Sequence, residues 1–168
     1  MLLGTQGVAA CFSPLCCIVP DASCDVCTNY RLCSSSGAPL LAPLNQALIR
    51  DDDHRNPMDV GQLDARLSSW LQGDYQAVLF EDGEQPAGYA LFRQKVEFVM
   101  LRQFFVVPAR RRKGVGRNAF ALLWASVWAG APALRVEVLV GNATGRAFWQ
   151  AVGFEEYFVT MEMRAQGL

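Results

Sequence analysis

One stretch limits the possible folds of this chain more than any other, Leu101 to Arg117, which reads LRQFFVVPARRRKGVGR. Its first half, to Val107, is β-branched and aromatic and stops at Pro108, the pattern of a buried strand. Beyond it Val115, Ala119, Leu122, Leu123 and Val127 recur at helical spacing, which predicts a helix opening at Gly114 and Gly116. A helix N-terminus carries unpaired N–H groups and a partial positive charge. Glycines there admit a ligand close to the backbone, and Arg110, Arg111, Arg112 and Lys113 stand just upstream. A strand, a basic loop and a glycine-opened helix form an anion site, whose natural occupant is a polyphosphate.

Three phosphate motifs are separable at this point. The GxxxxGK[ST] loop is absent, so nucleotide triphosphate hydrolysis has no support. Gly114-Val115-Gly116-Arg117-Asn118-Ala119 matches the dinucleotide pattern GxGxxA, with Glu137 as its acidic partner. In that pattern the strand runs straight into the first glycine, whereas Pro108 to Lys113 intervene here, and too little chain follows for a second half. The third, Arg111 to Gly116 in the form R/QxxGxG/A, fits the spacing.

Length and charge bound the rest. At 168 residues the chain suits one domain with a substantial core. Its net charge of −1 argues against a general nucleic-acid binder, because the positive charge is local. No apolar run reaches membrane-spanning length, so the expected location is cytoplasmic, with no membrane partner. The cysteines are lopsided: Cys11, Cys16, Cys17, Cys24, Cys27 and Cys33 all precede a compositional boundary near Ser36-Gly37. Residues 1–37 read as a Cys- and Ser-rich extension contributing at most one edge strand, Asn29 to Cys33, and residues 38–168 as the domain. Val8-Ala9-Ala10-Cys11 imitates a lipoprotein cleavage box but lacks a basic segment before it. Cys24-Asp25-Val26-Cys27 has zinc-site spacing, yet no second CxxC and no nearby histidine complete it, so no metal is expected.

From Ala38 the pattern is regular. Leu41, Leu44, Leu48 and Ile49 form one face of a helix ending in Arg50-Asp51-Asp52-Asp53-His54-Arg55-Asn56-Pro57. Acids at a helix C-terminus oppose its dipole, a locally unfavourable choice that points to function or to a solvated turn. A second helix is expected from Val60 to Leu71, then strands at Tyr75 to Phe80, Ala87 to Arg93 and Val96 to Val107. After the glycine-opened helix come a strand at Leu134 to Val140, a helix from Gly141 to Val152 and a closing strand-like run from Phe154 to Met163. This order predicts an α/β fold, a central twisted mixed sheet with helices on both faces.

Arg111-Arg112-Lys113-Gly114-Val115-Gly116 has the form R/QxxGxG/A and follows Phe104 to Pro108. Together they resemble the acetyl-CoA signature of the GNAT-type N-acetyltransferase superfamily. Val138-Leu139-Val140, Asn142, Ala147-Phe148-Trp149 and Gly153-Phe154 resemble that family's second cofactor segment, so the likeness covers roughly Leu41 to Met163. It implies a GNAT-like fold, acetyl-CoA as cosubstrate, and transfer of acetyl to an amine by direct attack on the thioester.

The resemblance also implies roles. Backbone N–H groups from Arg112 to Gly116, with charge from Arg111, Arg112, Lys113 and Arg117, would hold the pyrophosphate. The edge of Phe105-Val106-Val107 would pair with the pantetheine amides, and the N–H of Val107 would bind the thioester oxygen. Asn142, Phe148 and Trp149 would line the thiol end. An alkylammonium has a pKa of about 10.4, so a proton must be removed. Glu97, on the strand face of Leu101, Gln103 and Phe105 by the period of two, is the base candidate, with Gln103 orienting and His54 a further titratable group. Trp149 stands where the family usually carries a tyrosine as general acid, and Tyr157 or water would substitute. Asp51, Asp52, Asp53 and Asn56 would receive a cationic acceptor, a small amine or a lysine. A homodimer is compatible with this reading. A non-catalytic acyl-CoA sensor, or a zinc or redox module built on the N-terminal cysteines, would be the readings from other classes.

Overall fold

A computed structural model of the chain describes residues 29–83 and 85–163, so the CxxC pair and the cleavage-like box lie outside the described residues. Five strands form one sheet in the order β1 (Asn29–Cys33), β2 (Tyr75–Asp82), β3 (Gln85–Gln94), β4 (Val99–Val106) and β5 (Leu134–Val136). The first four pair antiparallel and β5 joins β4 in parallel. The sheet therefore reaches back past Gly37, although the composition changes there.

Helices cover both faces. Helices α1 (Ala38–Asp51) and α2 (Val60–Gln72) bury Leu41, Leu63 and Leu67 against Ala77, Leu79, Tyr89, Leu91 and Phe105. Helices α3 (Val115–Ala125) and α4 (Ala143–Ala151) bury Val115, Ala119, Leu123 and Trp149 against Val78, Phe80, Ala90, Phe92 and Leu101. Period-two alternation in β2 and β3 sends successive side chains to opposite cores, which is why both strands read as nearly continuous apolar runs. Helix α2 begins with a capping box in which Asp59 accepts from the Gln62 N–H and Gln62 accepts from the Asp59 N–H.

Three strand boundaries differ from those expected. Strand β4, expected from Val96, starts at Val99, because Val96 and Glu97 form the exposed turn after β3. Strand β5 ends at Val136, where its pairing with Leu101 stops. Residues 154–163 form no strand; their aromatic and β-branched composition suits one, but they pair with no strand among the described residues.

Candidate active site

The site grows from a register fault in β4. Leu91 pairs with Gln103 but Phe92 pairs with Leu101, so Arg102 is one residue too many for its partner strand. Such a bulge places two consecutive residues on one face and turns the strand beyond it. Val99 and Leu101 accordingly pack on the α3–α4 side, while Gln103 and Phe105 face α1 and α2. Immediately past the bulge β4 loses β5, whose pairing covers only Val99 to Leu101.

Beyond Leu101, then, one edge of β4 has no neighbouring strand. The Val107 N–H donates to the Ala87 carbonyl at 2.9 Å, so odd-numbered residues from Gln103 onward turn their backbone groups toward β3. Alternation then aims the N–H and C=O of Phe104 and Val106 into the opening beside β5. The Val107 N–H, expected as the oxyanion donor, is already bonded within the sheet, and the edge-facing N–H groups are those of Phe104 and Val106. The edge demands close packing on its other side. A Cβ on Gly88 would stand 2.0 Å from the Phe105 carbonyl oxygen, so only glycine fits there.

At the end of β4 the chain makes a short 3-10 turn, Pro108–Arg110, and enters the loop that opens α3. Arg112 at φ 62° and Gly114 at φ 81° take left-handed conformations, turning the loop so that Gly114 caps α3. The first intrahelical bond is Asn118 N–H to the Gly114 carbonyl at 2.9 Å, which leaves the N–H groups of Val115, Gly116 and Arg117 for a ligand. Arg112, Lys113 and Arg117 are exposed around them. Gly116 also lets α3 approach β4 and α4: a Cβ there would meet the Phe148 ring at 3.3 Å and Val106 at 3.5 Å. This cradle and the open edge fit a long ligand with a pyrophosphate at one end and amides along its length.

The acidic tip of α1 closes over the same mouth. Asp51 makes a two-pronged ion pair with Arg111 at 2.8 and 3.0 Å, and the Arg111 Nε donates to the Val106 carbonyl at 2.8 Å. Asn142, which caps α4 by accepting from the Gly145 N–H, donates through Nδ2 to Asp52 at 2.8 Å. Two successive carboxylates thus touch two separate segments, Asp51 the basic loop before α3 and Asp52 the cap of α4. The unfavourable end of α1 is compensated by partners from distant sequence. Burial raises the pKa of Asp52, the neighbouring Asp51 charge adds to this, and His54 and Arg111 oppose it. His54 and Asn56 shape the turn that follows: His54 Nδ1 accepts from the Asn56 N–H, and Asn56 accepts from the Met58 N–H. Asp53 takes φ 48° in that turn.

Three expected participants stand elsewhere. Glu97 lies in the exposed turn before β4, more than about 20 Å along the strand from Val106 at 3.3 Å per residue, and the bulge breaks the face it was expected to share. Tyr157 is 75% exposed beneath the Arg135 guanidinium, beside the paired part of β5. Trp149 is sealed among Phe104, Phe120, Phe148 and Phe154, so it is core and does not line an open thiol end. Phe148 alone of that pair turns partly outward, stacked on Phe104 and against Gly116.

Sequence reasoning also missed a buried polar row beneath α1. Asn45, wholly buried, links Arg66 to Tyr89, and Tyr89 links on to Gln103. The signal was present: Asn45 falls four residues after Leu41 on an apolar face, where a polar side chain requires partners. Among the described residues no group of His, Cys, Asp and Glu is arranged to hold a metal, and no helix is long and apolar enough to cross a membrane.

Comparisons with known proteins bear on the family and the fold. The family model described as Acetyltransferase (GNAT) family matches residues 45–154. No curated protein sequence matches. Among solved structures, a possible acetyltransferase from Clostridium difficile 630 superposes with a TM-score of 0.67 at 13% identity, covering 83% of this chain and 97% of that one. The aminoglycoside N-acetyltransferase AAC(6')-Iy in complex with CoA gives 0.66 at 18% identity, over 89% of this chain and 100% of that one. A ribosomal-protein-alanine N-acetyltransferase from Brucella melitensis biovar Abortus 2308 gives 0.63 at 16%, over 82% and 99%. At these identities the structural likeness establishes a shared fold.

Proposed function

Because the chain belongs to the GNAT acetyltransferase family, whose members transfer acetyl from acetyl-CoA, we propose that its acceptor is a primary amine carried by a small cationic molecule or a lysine side chain. The observation that supports this acceptor class is the seating of Asp51 and Asp52 over the open end of β4. Arg111 balances one of the two carboxylates, and the net negative charge that remains attracts a cation to the place where a thioester on the edge of β4 would end.

Chemically, the pyrophosphate is held by the N–H groups of Val115, Gly116 and Arg117 and by Arg112 and Lys113. The pantetheine amides pair with the edge at Val106, which requires Arg111 to give up the Val106 carbonyl. The acceptor nitrogen, having lost one proton to solvent, attacks the thioester carbon; the carbonyl oxygen takes the electron pair, and the Phe104 N–H, farther along the edge from the cradle than Val106, binds it. Collapse breaks the C–S bond and releases a thiolate, while the nitrogen loses its second proton. Asp52 replaces Glu97 as the proton acceptor, directly or through water. It is half-buried, its affinity for a proton is raised, and Asn142 fixes its direction. A CoA-type thiolate with pKa about 8.5 leaves without an obligatory acid, so Trp149 is no obstacle.

The buried Trp149 and the displaced Tyr157 favour one second reading, a protein that binds acyl-CoA without turning it over. A thiol-release assay across a panel of amines separates the two. Release that depends on the amine, with a cationic amine preferred and Asp51→Asn raising its KM several-fold, supports the transferase. Acetyl-CoA binding without release on any amine supports the sensor.

A further inference from the structure

The polar row under α1 has a direction. The Arg66 Nη2 lies 2.9 Å from Asn45 Oδ1, the Asn45 Nδ2 lies 3.0 Å from the Tyr89 hydroxyl, and that hydroxyl lies 2.9 Å from Gln103 Oε1. A guanidinium has no acceptor, so Asn45 must present its oxygen to Arg66 and its NH2 to Tyr89. Tyr89, having accepted one bond, donates its own proton onward to the Gln103 oxygen. The amide orientations are set by this order, starting from a group that can only donate. Arg66 is itself held over the Trp70 ring at 4.7 Å, and burial keeps the Tyr89 hydroxyl protonated. The consequence falls on Gln103: its oxygen is taken by Tyr89, and its NH2 makes no hydrogen bond among the described residues.

The location of that NH2 matters. The anion cradle and α3 lie on one side of the sheet, and Gln103 lies on the other with Phe105. The β4–β5 pairing stops at Leu101, so the opening directly after the bulge connects the two sides, and a ligand anchored at the cradle can cross through it toward Gln103. Resting on the transferase reading above, we propose that Gln103 is a catalytic hydrogen-bond donor to the thioester carbonyl oxygen, locked in that sense by the row Arg66–Asn45–Tyr89. In the step concerned, the N–C bond forms as the carbonyl π pair moves to oxygen. The Gln103 NH2 and the Phe104 N–H share the resulting charge. The pair then returns to carbon as the C–S bond breaks, sulfur leaves as the thiolate and the nitrogen gives its proton to Asp52. A donor in this position cannot receive an ammonium, so cation recognition stays with the Asp51–Asp52 end.

Two substitutions in the full chain isolate the claim. Gln103→Glu still accepts from Tyr89 but has no outward donor, and Gln103→Leu has neither. Loss of one such donor lowers kcat on the order of a hundredfold. Both variants are expected to show that loss with little change in the KM for acetyl-CoA. With carbonyl-labelled acetyl-CoA bound, the infrared C=O band is expected at lower frequency in the wild type than in either variant. Tyr89→Phe, which frees the amide to turn, falls between. A wild-type kcat or an unshifted band in Gln103→Glu overturns the assignment and leaves Gln103 a structural partner of Tyr89. Failure of the wild-type protein to bind acetyl-CoA would overturn the transferase reading itself.

Discussion

Gly114 and Gly116 are two residues apart and serve different ends. Gly114 supplies a left-handed backbone, with nothing nearer than the Asn118 amide at 3.9 Å from its missing Cβ. Gly116 supplies room, between Phe148 and Val106. Gly114→Ala is therefore expected to cost about 1–2 kcal/mol of stability through backbone strain, read by chemical denaturation. Gly116→Glu is expected to disturb α4 and β4 as well as ligand binding, so loss of binding in that variant alone says little about the cradle. The sequence marked both glycines as ligand contacts, and only the packing separates them. At Asp52 the pKa is raised by burial, so the folded state binds its proton more tightly than the unfolded chain. Stability from this group is present at low pH and declines as pH rises from about 4 through the raised folded value. Asp52→Asn retains an oxygen for Asn142 and removes the titration. Its denaturation midpoint should fall less with pH across that window than that of the wild type.

Strand β4 and helix α1 carry the site between them, and they were legible to different degrees. The apolar run ending at Pro108 identified β4, and the leucine spacing identified α1. The bulge at Arg102 left no mark in the sequence, because it is a property of register between two strands and any residue tolerates it. That single fault removes Glu97 from the face of Gln103 and exchanges Val107 for Val106 at the open edge. The closing strand failed for a related reason: residues 154–163 have strand composition, and composition does not supply a pairing partner. For α1, the acidic tip was flagged as functional or merely solvated; its partners Arg111 and Asn142 lie 60 and 90 residues away and no local rule finds them. Close approach of β3 to β4 is testable at this scale. Gly88→Ala forces a methyl against the Phe105 carbonyl and is expected to lower stability by about 1–3 kcal/mol, with a matching fall in melting temperature. An unchanged melting temperature would show that the two strands separate there at little cost.

At the scale of the molecule, one sheet with helices on both faces brings three remote segments to the end of β4: the α1 tip, the basic loop before α3 and the cap of α4. The two spaced motifs already implied that convergence, because a glycine-opened helix and a later Asn-capped one must both point to the edge they flank. The proton-transfer groups were not legible, since they depend on which carboxylate the fold half-buries. On the transferase reading, the loop and the first turn of α3 hold the pyrophosphate of acetyl-CoA. Arg112 and Lys113 are exposed, so reversing their charge leaves the core untouched. Calorimetric titration of acetyl-CoA into the wild type and into the Arg112→Glu/Lys113→Glu variant tests this directly. Each lost charge-assisted contact is worth about 1.5–3 kcal/mol, so one-to-one binding is expected in the wild type and at least about tenfold weaker binding in the variant. Equal affinity in the two proteins, with both folded, would contradict it.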